Sequence, residues 1–108
     1  MIILRIHHRI TDLDTWLAAF ARFESARAQA GVRCQHIRQP VDDPAFIDVD
    51  LGFDTVAAAQ SCRGFLVRNV WPSPANAPAL SGRPRATILK DVAAPSTARA
   101  ATSERGPR

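Results

Sequence analysis

Tyrosine is missing altogether from these 108 residues, and cysteine occurs only at positions 34 and 62. Two isolated cysteines exclude a disulfide-stapled scaffold and read as reduced thiols of a cytoplasmic protein. No hydrophobic run approaches the roughly 18–20 residues that cross a bilayer, so no membrane partner is expected. The opening MIILRIHHR lacks the basic start, long apolar stretch and small-residue cleavage site of a secretory signal. A one-signed charge field is missing too. The formal charge is +4, but the stretch from Ala93 onward, with three arginines and one glutamate, carries half of it. What precedes is close to balanced, with no basic stripe for nucleic acid.

Hydrophobic residues make up 46% and charged residues 22%, an ordinary globular balance, and the length suits one domain. We read residues 1–92 as that domain. Residues 93–108, rich in Ala, Arg, Ser and Pro without large apolar side chains, read as a disordered tail that cannot repay its ordering entropy.

Met1–Ile10 is rich in β-branched residues and predicts a first strand. Ile2, Leu4 and Ile6 fall on one face; Ile3, Arg5, His7 and Arg9 fall on the other. The stretch TDLDTWLAAFARFESARAQAGV predicts one long helix, capped by Asp12 or Asp14 and stopped by Gly31. Its apolar stripe is Leu13, Trp16, Leu17, Phe20 and Phe23. Val32–Gln39 predicts a second strand whose apolar residues change sides between Cys34 and Ile37, as a bulge would produce. Phe46–Phe53 alternates cleanly as a third strand, with Phe46, Asp48 and Asp50 on the face opposite Ile47, Val49 and Leu51. Asp54 is placed to cap a second helix over residues 55–71, in which Gly64 marks a close packing contact. A proline-rich loop over 72–84 and a fourth strand, Arg85–Val92, complete the chain.

The order is β-α-β-β-α-β, an α+β ferredoxin-like fold with an antiparallel sheet in the order 4-1-3-2 and both helices on one face. The uncovered face mixes Ile3, Phe46 and Leu89 with Arg5, Arg9, Asp48 and Asp50, and the charges on adjacent strands are expected to pair. Such a face suits solvent, a partner's sheet or a small-molecule pocket.

With this element order, the D-x-D-T-W opening of helix one and the GFDTVAAAQSCRGFL passage into helix two, residues 1–92 resemble dimeric α+β barrel proteins. They most resemble the antibiotic biosynthesis monooxygenase-like group. That resemblance implies a homodimer through the open sheet face and a pocket between sheet and helices for a small hydrophobic or aromatic ligand. It implies a cofactor-independent monooxygenase-like protein acting on or binding an aromatic or polycyclic molecule, with no cofactor. A non-catalytic dimeric ligand binder is the alternative, and haem binding or degradation a remote one. Strand one carries His7 and His8 where the family's enzymes use an asparagine. Residues 55–71 lack the histidine that haem degraders present from helix two, and no tyrosine exists to stand near a substrate. Catalysis itself is therefore left open.

Among single residues, His7 is the catalytic candidate: an imidazole on the open face beside Arg5 and the aspartates could take a phenolic proton. A salt-bridged interface histidine is the reading preferred over it. His8 points toward the helices as a partly buried rim residue. Adjacent strand residues face opposite ways, so the pair cannot chelate one metal, and no metal site is expected. Arg5, Asp48 and Asp50 read first as a charge network, and Trp16 and Phe20 as core. With Phe46 and Trp71 they form the candidate substrate-binding set. An RNA-binding reading fails because Phe46 is flanked by Asp48 and Asp50, which repel phosphate.

Overall fold

The computed structural model describes residues 1–93; most of the predicted disordered tail, from residue 94 on, lies outside the described residues. Strands β1 (Ile2–Ile10), β2 (Cys34–Arg38), β3 (Phe46–Phe53) and β4 (Leu80–Lys90) form one antiparallel sheet in the order β2-β3-β1-β4. This is the expected order, read from the other edge. Leu4, Ile6 and Ile10 of β1 meet Ile47, Val49, Leu51 and Phe53 of β3 in a buried layer. Full burial of one such aliphatic side chain contributes roughly 1.5–3 kcal/mol.

The first helical stretch is not continuous. It divides at Phe23 into α1 (Leu13–Arg22) and α2 (Glu24–Gln29). Asp12 caps α1, its carboxylate accepting from the Thr15 amide at 2.8 Å and the Thr15 hydroxyl at 2.7 Å. Trp16 is buried and Phe20 half-buried, but Leu17 stays 39% exposed, so the apolar stripe is narrower than its spacing implied. Gly31 ends α2 as expected. At φ +96° it donates to the Ala28 carbonyl while Val32 donates to that of Arg27, the paired bonds of a Schellman stop.

Helix α3 (Val56–Phe65) begins one residue later than Asp54 would place it. Thr55 is the cap, its hydroxyl accepting from the Ala58 amide at 3.1 Å, while Asp54 pairs with Arg33 instead. Leu66–Val70 continues the helix as a π-turn, closed by the Trp71 amide donating to the Leu66 carbonyl at 2.9 Å. A Cβ on Gly64 would meet the Arg68 guanidinium at 2.9 Å, so Gly64 makes room for its own helix's arginine rather than for a neighbouring element.

Strand β2 pairs with β3 in unbroken register, and Ile37 faces the helices. The irregularity lies elsewhere, in the β1–β4 pairing between His7 and Arg9. There Gly82, at φ +78°, and Pro84 sit in the edge strand, where a bulge tolerates a missing amide donor and a left-handed residue. Because the bulge lets pairing resume, β4 starts at Leu80 rather than Arg85, and the connection before it is residues 71–79 rather than a loop reaching 84.

Candidate functional site

The sheet has two different faces. Its covered face and the helices enclose a cavity of about 410 Å³. Strand β1 supplies Ile6 and His8 and β3 supplies Val49 and Leu51. Helix α1 contributes Trp16 and Phe20, α2 contributes Arg27, and α3 with its π-turn contributes Cys62, Phe65, Leu66 and Val70. The segment from Trp71 to Leu80 closes one end. The π-turn matters here, because its extra residue per turn re-aims side chains relative to an α-helix, and π-turns recur at functional sites. Both Leu66 and Val70 reach the cavity from it.

The walls are aromatic and aliphatic, with Trp16 and Phe20 stacked at 4.9 Å between centroids and 17° between planes. Polar groups are few. His8 is 6% exposed, and its Nδ1 lies 2.9 Å from the Arg9 carbonyl oxygen. A carbonyl can only accept, so Nδ1 carries the hydrogen and Nε2 is the basic nitrogen. Desolvation pushes the His8 pKa below its ordinary value, the Arg9 hydrogen bond opposes that, and neighbouring His7 adds to it. The imidazole is thus neutral near pH 7, as a proton acceptor must be. Cys62 is buried, and burial pushes its thiol pKa up, which makes it a wall rather than a nucleophile.

The uncovered face carries the charge network. Arg5 donates from Nε and Nη2 to both oxygens of Asp50, each at 2.9 Å, with Arg38 a further 3.7 Å contact. The Arg5 hydrogen bonds hold the Asp50 carboxyl below its ordinary range against its partial burial. Arg9 reaches past the strand-three aspartates to Asp43 at 3.5 Å. His7 pairs across the sheet with Asp48, and its ring tilts against Phe46 at 5.7 Å. Asp48 has a buried Oδ1 without a hydrogen-bond partner among the described residues.

The sheet therefore separates the candidate set. Trp16, Phe20 and Trp71 line the cavity; His7, Arg5, Phe46, Asp48 and Asp50 lie on the opposite face, and none of these five lines it. Strand alternation had already put His8 on the cavity side, yet nothing local showed that a cavity would be there. Arg27 was overlooked, although a signal existed: it continues the Phe20 and Phe23 spacing, a charge on an apolar helical stripe. Among the described residues no group of three or more potential ligands is gathered to hold a metal ion.

The fold is shared with solved structures. A NIPSNAP domain protein from Burkholderia xenovorans superposes with a TM-score of 0.59 at 16% identity, over 86% of this chain and 96% of that one. A dimeric ferredoxin-like protein from an uncultured marine organism gives 0.62 at 12% identity, over 87% and 97%. An antibiotic biosynthesis monooxygenase gives 0.61 at 11% identity, over 86% and 100%. No family model and no curated protein matches the sequence. These likenesses define the class by its fold alone: an α+β ferredoxin-like fold. The antibiotic biosynthesis monooxygenase-like resemblance read from the sequence is matched at the level of that fold.

Proposed function

We propose that this protein binds a small aromatic molecule in the cavity under its sheet and oxygenates it without a cofactor, with His8 accepting the substrate's proton. The observation that carries this reading is His8 itself, a buried imidazole whose hydrogen is fixed on Nδ1 by the Arg9 carbonyl, in the wall of an apolar cavity. A substrate with an acidic methylene between aromatic rings would give a proton to Nε2 and leave an electron-rich carbanion. Dioxygen then supplies one atom as the new carbonyl, and its other atom leaves as water with the two methylene hydrogens. The aromatic walls offer apolar surface to hold the ring, and the neutral imidazole is already in the state that the first step needs.

The uncovered face supports a homodimer. A second copy's sheet would cover half-buried Ile3, Phe46 and Leu89 and bring donors to the unpartnered Asp48 oxygen. In this assembly His7 is an interface residue, and a catalytic part for it requires a pocket completed by the partner. The free thiols of Cys34 and Cys62 suit a reducing cytoplasm. No helix among the described residues is long and apolar enough to cross a membrane.

Oxygen uptake with anthrone as substrate tests the chemistry, and native mass spectrometry tests the assembly. The expected result is turnover by the wild type and a loss of about 10²–10⁴-fold in His8→Gln. Unchanged turnover in that variant overturns the role of His8. Saturable anthrone binding with no oxygen uptake establishes the alternative, a non-catalytic binder. A monomer at micromolar concentration overturns the dimer.

A further inference from the structure

The cavity carries a single permanent charge. Of its lining residues only Arg27 is ionised at every physiological pH, and no aspartate, glutamate or lysine joins it. Its guanidinium is held firmly: Nη1 donates to the Phe20 carbonyl at 2.6 Å, Nε donates to Gln35 Oε1 at 3.2 Å, and the guanidinium carbon lies 3.5 Å over the Phe20 ring. These contacts fix its position without neutralising it. No carboxylate among the described residues lies within ion-pair distance, and Nη2 has no hydrogen-bond partner among them. The surroundings withdraw water from the group, and that desolvation lowers its pKa. Glu24 acts on it only from beyond contact distance, and a partly desolvated cation with no anion in contact has as its natural complement, in an apolar cavity, an anionic group on the ligand.

We propose that Arg27 makes the cavity selective for aromatic acids: a flat aromatic body along Trp16 and Phe20, carrying one carboxylate or phenolate that pairs with the guanidinium. This rests on the reading that the cavity binds a small aromatic molecule, and it adds the charge of that molecule. The aromatic ladder and the cation share one side chain, Phe20, which stacks on Trp16 and lies under Arg27. A ring seated against these side chains therefore has its acidic substituent near the arginine. Phosphorylated or multiply charged ligands fit poorly, since the remaining lining offers no second cation.

The test uses N-phenyl-1-naphthylamine, a neutral fluorophore, as reporter of the cavity, and two competitors of nearly equal shape, 1-naphthoate and 1-naphthalenemethanol. In the wild type at neutral pH, naphthoate is expected to displace the reporter at about tenfold lower concentration than the alcohol, the advantage of one charge-assisted hydrogen bond. Arg27→Met is expected to bring the two competitors to equal potency while the reporter still binds. Arg27→Gln carries the same prediction if the methionine variant does not fold. Arg83→Met, which removes an exposed arginine of β4 outside the cavity, is expected to keep the preference. Equal potency in the wild type overturns the proposal, as does a preference that survives loss of the Arg27 charge. Failure of the reporter to bind the folded wild type overturns the cavity reading itself, a separate result.

Discussion

Acidification should destabilise this protein through His8, and the size of the effect follows from its surroundings. His8 is 6% exposed, and desolvation lowers its pKa from the ordinary 6.5. Below about pH 6.5 the unfolded chain takes up a proton that the folded chain refuses, so stability falls as the pH falls. Above that value both states are neutral at this residue and the dependence vanishes. One proton sets a ceiling on the slope of about 1.4 kcal/mol per pH unit, and the loss between about pH 6.5 and about pH 5.5 is at most about 1 kcal/mol. The measurement is urea unfolding followed by circular dichroism from about pH 5 to about pH 8, for the wild type and His8→Gln. The quantity of interest is the difference between the two chains, which isolates the part of the pH dependence that requires His8. Asp50, whose pKa Arg5 holds low, loses its contribution only at more acid pH, through a window below the ordinary carboxylate value of 3.8. The difference should fall by several tenths of a kcal/mol or more across the lower half of the range and be flat above it. A flat difference throughout, or one that grows on acidification, would refute the assignment of a buried neutral imidazole.

Other substitutions probe the frame around the site. Leu4→Ala removes a side chain with no exposed surface from the central strand, and should cost about 2–5 kcal/mol in urea unfolding, a large part of a typical domain's stability; a loss under about 1 kcal/mol would mean the layer repacks freely. Gly31→Ala places a Cβ where only the Ala58 Cβ stands near, at 3.8 Å, so its cost is the left-handed backbone at φ +96° and not a clash. A loss of about 1 kcal/mol, seen as a melting point lower by about 4–8 °C, is expected; an unchanged melting point would show that the Schellman stop is dispensable.

Much of the fold was legible because its signals are local. Alternation in Phe46–Phe53 and the Gly31 stop depend on neighbours a few residues away and were found where the chain put them, while of the two caps the sequence offered, Asp12 and Asp14, the chain uses Asp12. Errors arose where two local options differ little in energy. Thr55 and Asp54 are both competent caps, and Arg33, distant in sequence, draws Asp54 away. The start of β4 depended on a bulge opposite His7 and Arg9, which no periodicity within residues 80–90 announces.

The candidate site divides along the same line. Sequence by itself determined the element order, the strand order and the separation of His7 from His8, because a strand's period of two sends adjacent side chains to opposite faces. Tertiary structure alone decided what each face meets. It closed the helices and the Trp71–Leu80 segment over the side holding His8, giving that histidine an apolar cavity and a depressed pKa. It also brought Arg27 over Phe20, and left His7 on the open sheet beside Phe46 and Asp48. Burial, hydrogen bonding and the company of distant residues set the chemistry of a side chain, and these come into being only when the chain has folded.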